Sequence, residues 1–239
     1  VKTWKIDNQN SLLSIEYIQK ENGGPSSCRN IGIHKARGQY IYFLDSDDYM
    51  HPNLLTDAVR ELEKESADCV MFGFNTESPY RQKGSWIPPS QAPMKSFFQN
   101  SLWGYTSSSL KRIDLVRKAG LWNEKISIAE DYEFLGRALL NSKKTVILQE
   151  ALLTVLRDDC QSLGANKDTA MGLQHRLIAE QAIMAEVLKH RSEIPEDFLV
   201  AYADRLFKTA INMYAKRNAS FAKELGEIAL RLGVEPKKI

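Results

Sequence analysis

Up to about residue 156 the apolar positions switch between two periods, and beyond residue 168 only the helical one remains. Leu12–Gln19 (LLSIEYIQ) alternates apolar and polar side chains and predicts a strand, closed by a turn over Glu21–Pro25. Val1–Asn10, ahead of it, reads as the end of a helix. Pro25 suits a helical first turn and Gly38 a stop, so a helix is expected from Pro25 to about Arg37. Tyr40–Leu44 is a short buried strand that runs directly into Asp45-Ser46-Asp47-Asp48. Pro52–Glu65 places Leu54, Leu55, Val59 and Leu62 on one helical face. Ala67–Phe74 is a second buried strand, followed by a long irregular loop from Asn75 to Pro93. Met94–Leu102 and Arg112–Ala119 read as short helices, the second closed by Gly120.

Within Leu121–Leu140, the stripe Tyr132, Phe134, Leu135, Ala138 and Leu139 predicts a helix with Glu130 and Asp131 at its N-terminus. Lys144–Gln149 and Leu152–Leu156 are strand-like. Three amphipathic helices then follow, marked by Leu173/Leu177/Met184/Leu188, Leu199/Leu206/Ala210/Met213 and Phe221/Leu225/Ile228/Leu232, with Gly233 as a stop. Strands alternating with helices imply an α/β fold, and the closing run implies a helical subdomain. The expected division is 1–165 and 166–239.

Composition narrows the class without naming a chemistry. A chain of 239 residues with 43% hydrophobic and 26% charged residues can bury a sizeable core. A net charge of +2 provides no drive toward nucleic acid. No apolar run reaches the ~18 residues of a membrane span. Cys28, Cys69 and Cys160 lack metal-site spacing, which points to a reducing cytoplasm. Basic residues of the last helices (Lys189, His190, Arg191, Lys208, Lys216, Arg217) permit weak peripheral association with the inner face of a membrane, but a solvated face is the better account of them.

The chemistry concentrates in the acidic tetrad. Three carboxylates at the carboxyl end of a buried strand repel one another and suit a hard divalent cation, and ligands gather at such strand ends in α/β sheets. A solvated turn is the alternative. In order, Asn22-Gly23-Gly24, Arg29-Asn30-x-Gly32, Ala36-x-Gly38 and Asp45-Ser46-Asp47-Asp48 resemble the family 2 glycosyltransferases of the GT-A fold. Glu130-Asp131 is similar to that family's catalytic acid pair. Acids in a helix's first turn that merely complement the dipole are the other account of that pair.

The resemblance implies a Rossmann-like mixed sheet flanked by helices and transfer of a sugar from a nucleotide-sugar donor, a UDP-sugar by expectation, to a glycan or lipid-linked acceptor. It implies Mn²⁺ or Mg²⁺ held by Asp47 and Asp45, donor contacts from Arg29, Asn30, Asp45 and Asp47, and Asp131 as general base in an inverting reaction. Where the family carries Tyr-Arg-x-His, this chain has Leu156, Arg157, Asp158 and Asp159, so Asp159 stands as a substitute oxygen donor to the metal. Glu130, Trp86 and Trp103 are candidates on the acceptor side, with ordinary packing as the alternative for the tryptophans.

The family's opening strands, which carry an Ile-Pro-x-Tyr-Asn run and Asp-Asp-Gly-Ser and bind the nucleoside, are not in this sequence. The expectation is therefore an N-terminally incomplete site with an exposed strand edge, open to self-association. A non-catalytic binding or scaffolding module of the same fold is the competing reading.

Overall fold

A computed structural model of the chain describes residues 14–78, 83–89, 92–99, 105–156 and 169–234. Val1–Asn10, Leu12, Leu13, Tyr80, Trp103 and the segment Arg157–Ser162, with Asp159, lie outside the described residues.

The elements run α1 (Gly24–Lys35), β1 (Tyr40–Tyr42), β2 (Asp48–Met50), α2 (Leu54–Lys64), β3 (Cys69–Glu77), β4 (Gly84–Trp86) and α3 (Pro93–Phe98). They continue with β5 (Ser109–Arg112), α4 (Ile113–Ala119), α5 (Glu130–Asn141), β6 (Thr145–Leu156), α6 (Ala170–Lys189), α7 (Glu196–Ala215) and α8 (Ala219–Leu230). The six strands form one mixed sheet in the order β1-β5-β3-β6-β2, with β4 paired to β3. Only β3 and β6 are parallel, in register from Cys69–Thr145 to Glu77–Leu156.

Residues 43–47 carry the chain from β1, at one end of the strand order, to β2, at the other. Four strand spacings of ~4.8 Å come to about 19 Å, close to the limit of six extended Cα steps. The chain here is not extended, because Asp48 N–H donates to the Asp45 carbonyl in a turn. The sheet must therefore curl, and the acidic tetrad bridges its mouth.

The two strand-like runs after Lys144 form one strand with a bulge, where pairing steps from Phe72–Leu148 to Gly73–Ala151 and then Phe74–Leu153. Gly73 sits at that bulge because a β-carbon there would lie 2.5 Å from the Trp86 carbonyl oxygen and 3.1 Å from that of Glu150. Expectation and structure part in three further places: the run Asn75–Pro93, read as an irregular loop, holds the end of β3 and the paired strand β4. Residues 14–19 form no strand and make no sheet pairing, and Ile15, Tyr17 and Ile18 are exposed. Alternation without a partner edge does not make a strand. Conversely β5, whose SLKR sequence gives no strand signal, lies between β1 and β3, and the sheet around it supplies the burial its sequence does not advertise.

Three apolar clusters follow from this layering. One lies between the sheet and α2 (Leu54, Ala58, Leu62, Val70, Phe72, Leu153). A second joins Cys69 and Met71 of β3 and Leu135 and Leu139 of α5 to the closing helices through Leu177, Ile183, Leu199 and Leu206. The third, Ile33, Ile41, Phe43, Ile113, Val116, Trp122 and Phe134, fills the wedge between α1, β1, α4 and α5. It is the floor on which the polar residues described next are mounted. Among the described residues no helix is long and apolar enough to cross a membrane.

Candidate active site

Arg29 joins the two acidic blocks. It lies in the second turn of α1, its side chain 13% exposed, and its Nη2 donates to Asp45 Oδ1 at 2.8 Å. Its Nη1 reaches Glu130 Oε1 at 3.4 Å, a longer contact. The guanidinium lies 4.5 Å from the centre of the Trp122 ring. Trp122 in turn stacks on Phe134 at 4.0 Å, and Phe43 meets both rings edge-on. An arginine on an aromatic floor with a carboxylate on each arm has little rotational freedom left.

The tetrad divides into separate roles. Asp45 is 38% exposed at its side chain, and its backbone N–H donates to Ser107 Oγ. Asp47 is exposed, and among the described residues no hydrogen bond or ion pair engages it. Asp48 opens β2, half-buried, and its carboxyl is pushed up to about 6, chiefly by burial and then by Asp45 and Asp47, with a Ser107 hydrogen bond opposing. Ser107 also accepts the Tyr42 hydroxyl at its carbonyl, so this buried serine holds the mouth of β1 to the start of β5.

Glu130 and Asp131 begin α5, after Ala129 in the left-handed region at φ +64°. A residue with a β-carbon costs about 1–2 kcal/mol there, so the surroundings must hold the turn in place. Burial raises the Glu130 carboxyl, against the pull of Arg29. Asp131 has protein on most sides and a remaining face toward solvent. Burial, then the Glu130 charge, pushes its carboxyl up to about 7, while the Tyr132 N–H (2.7 Å) and Arg29 act in the other direction.

Asn30 differs from the donor contact expected of it. It is 4% exposed, its Nδ2 donates to the Trp122 carbonyl (3.0 Å) and Glu124 Oε1 (2.7 Å), and its Oδ1 accepts from Trp122 N–H (2.8 Å). Both amide hydrogens and the oxygen are engaged inside the protein, so Asn30 clamps the Trp122 turn and has no hydrogen left for a ligand. Trp86 packs on Phe74, ring centres 5.1 Å apart, at the junction of two core clusters. That contact is ordinary packing. Asn22 Oδ1 accepts from Gly24 N–H at the start of α1. Trp122, Glu124 and Ser107 escaped the sequence reading. Trp122-Asn123-Glu124, just past the Gly120 helix stop, was the available signal.

Among the described residues, no group of three or more His, Cys, Asp or Glu side chains is arranged to hold a metal ion. The donor set still fits one mode. Mg²⁺-type ions bind through one or two carboxylates plus substrate phosphates, and exposed Asp47 beside Asp45 supplies those carboxylates. The charge balance favours it as well. Among the described residues, Asp45, Asp47, Asp48, Glu130 and Asp131 gather around the Arg29 guanidinium, and their excess negative charge repels a diphosphate unless another cation accompanies it.

Residues 7–112 match the Glycosyl transferase family 2 model. The chain is 32% identical over 162 residues to the glycosyltransferase EpsJ of Bacillus subtilis, covering 62% of this chain and 46% of EpsJ. It is 28% identical over 145 residues to the poly(ribitol-phosphate) β-N-acetylglucosaminyltransferase TarS of Staphylococcus aureus, 58% of this chain and 24% of TarS. This chain thus spans less than half the length of either. The crystal structure of S. aureus TarS 1–349 in complex with UDP-GlcNAc superposes with a TM-score of 0.67 at 18% identity, covering 92% of this chain and 67% of that one. Residues 7–112 of this chain thus match family 2 glycosyltransferases, and its curled mixed sheet has the GT-A fold of the TarS structure.

Proposed function

We propose that this domain transfers a sugar from a nucleoside-diphosphate donor to an acceptor hydroxyl, with Asp131 as general base. The observation that carries the reading is Arg29, which links the Asp45 block to Glu130, beside Asp131, through one guanidinium. In the reaction, a lone pair of the acceptor oxygen forms a bond to the anomeric carbon as its proton passes to the Asp131 carboxylate. The bond from that carbon to the diphosphate oxygen breaks, and the diphosphate leaves with the electron pair. Attack opposite the leaving group inverts the anomeric centre. A base titrating near 7 suits this role, because a substantial share is ionised near neutral pH and that share is basic enough to accept a proton.

Mg²⁺ or Mn²⁺ held by Asp47 and Asp45 would supply charge neutralisation on the leaving diphosphate. Arg29 adds fixed positive charge, and its carboxylate partners keep it aimed. Asn30 serves the site from beneath, by holding the Trp122 floor. Because the TarS structure contains UDP-GlcNAc, that donor is the first to test, with glycan and polyol-phosphate hydroxyls as acceptors.

The test is single-turnover transfer from UDP-GlcNAc in Mn²⁺, alongside donor affinity by calorimetry. Asp131→Asn should keep donor affinity and lose transfer by roughly 10²–10⁴-fold. Parental transfer by that variant removes Asp131 as the base.

A further inference from the structure

The turn that presents Asp131 is gripped from two directions. From α1, Asn30 holds Trp122 and Glu124. From the closing helices, α6 supplies a tie on each side of Asp131, with Arg205 of α7 adding to the second. Ser127 N–H donates to His175 Nδ1 at 3.2 Å, four residues before Asp131. One residue after it, the Tyr132 hydroxyl donates to Glu180 Oε2 at 3.3 Å and accepts from Arg205 Nη2 at 2.6 Å. His175 and Glu180 are five residues apart on α6, a rise of about 7.5 Å, so one rigid rod meets the turn on either side of the carboxylate.

The Glu180 end of that rod is fully committed. Glu180 (1% exposed) takes Arg205 at 2.8 and 2.9 Å and the Tyr202 hydroxyl at 2.7 Å, and the Tyr132 ring stacks on Phe97. A buried ion pair of this kind adds little net stability over an apolar replacement, but it fixes the geometry of the groups bonded to it. The strained Ala129 backbone lies between the two ties.

We propose that His175 and Glu180 are positioning residues for transfer, α6 holding residues 127–132 so that Asp131 faces the acceptor hydroxyl. This rests on the reading of Asp131 as base. The closing helices then belong to the catalytic apparatus as well as to the core. Misplacing a reacting group by about 1 Å can cost on the order of 100-fold in rate, so loosening one tie should be visible in turnover.

The test uses three variants of the whole chain. His175→Leu removes the acceptor for Ser127 N–H, His175→Asn keeps one near the Nδ1 position, and Tyr132→Phe removes the hydroxyl joined to Glu180 and Arg205. Two readouts are taken: steady-state turnover of UDP-GlcNAc with Mn²⁺, and the carboxyl-carbon NMR titration of Asp131, which needs no substrate. Expected are a fall in kcat of roughly 10–100-fold for His175→Leu and Tyr132→Phe, an unchanged KM for UDP-GlcNAc and a displaced Asp131 titration. His175→Asn should match the parent in both. Parental kcat and parental titration in His175→Leu and Tyr132→Phe would overturn the proposal, as would a loss confined to melting temperature. If Asp131→Asn itself transfers normally, the base assignment fails instead, and the titration alone still decides whether α6 positions the turn.

Discussion

Replacing Asp131 with asparagine should stabilise the protein above pH 7 while abolishing transfer. Asparagine is isosteric, and its Oδ1 can still accept the Tyr132 N–H, so the hydrogen bond survives and only the charge is lost. Two effects on that charge oppose each other. The N-terminal dipole of α5 favours a carboxylate by about 0.3–1 kcal/mol. Burial and Glu130 disfavour it, moving the carboxyl from the ordinary 3.8 to about 7 with the dipole-side contacts already included. At about 1.4 kcal/mol per decade of proton affinity, that displacement is a ceiling of roughly 4 kcal/mol. Water at the carboxylate's open face reduces it, and about 1–3 kcal/mol is expected. The pH dependence follows from proton binding. Between about pH 4 and 7 the folded protein holds a proton on Asp131 that the unfolded chain has released, so parental stability falls as pH rises through that window. Urea denaturation at pH 4.5 and 8 measures it. The variant's lead should be largest at pH 8 and clearly smaller at pH 4.5, closing fully only below the ordinary carboxyl value of 3.8. An asparagine variant less stable than the parent at pH 8 would refute the reasoning and return Asp131 to a helix-terminating role.

Asn30→Ala leaves the buried Trp122 N–H and carbonyl without their partner, and at about 1–3 kcal/mol per orphaned group the loss should be roughly 3–5 kcal/mol. By thermal unfolding that is a fall of about 10 °C, and a change under 2 °C contradicts the clamp. Asp47→Asn should abolish Mn²⁺-dependent binding of UDP by calorimetry, while Asp45→Asn weakens it less; parental binding by both variants would exclude the tetrad as the metal site. Lys111 is buried in β5 with Ser109 Oγ as a hydrogen-bond partner, and burial lowers its pKa. Lys111→Met should therefore gain about 1–2 kcal/mol at pH 7. Parental stability should rise with pH toward the ordinary lysine value as the unfolded chain gives up its extra proton, so the gap should narrow by pH 10. A gap independent of pH would show that Lys111 titrates normally in the fold.

Where a residue's own surroundings decide its fate, the sequence could be read directly. The α2 face carrying Leu54 and Leu62 (though not Leu55, which is exposed), the run into Asp45–Asp48 and the stripe placing Glu130 and Asp131 first in α5 needed only local periodicity. What escaped depends on partners far along the chain. Ser109–Arg112 is a strand because β1 and β3 flank it, and nothing in SLKR announces that. Asn30 looks like a ligand contact beside Arg29, yet alternate geometry on one helix turn sends Arg29 to the carboxylates and Asn30 into the Trp122 turn, 92 residues away. Residues 14–19 show the converse: correct alternation, with no neighbouring strand to complete it. The link from α6 to the Asp131 turn was invisible for the same reason, since His175 and Tyr132 occupy ordinary positions on ordinary helices.

Each acidic block, taken alone, has an explanation in folding terms: a solvated turn for Asp45–Asp48, dipole complementarity for Glu130–Asp131. Neither explanation calls for carboxyls raised as those of Asp48 and Asp131 are, by burial and by neighbouring carboxylate charge. On the same few residues the chain also places a left-handed alanine. Arg29 relieves part of this repulsion and is held too firmly by Asp45, Glu130 and Trp122 to relieve the rest. Folding alone would remove such a concentration of unfavourable terms by substitution with neutral side chains, as surface turns and helix caps readily accept them. In the proposed reading the site attracts a cation, binds an anion through it and keeps one carboxylate near neutrality, and that requirement would account for the unfavourable terms together.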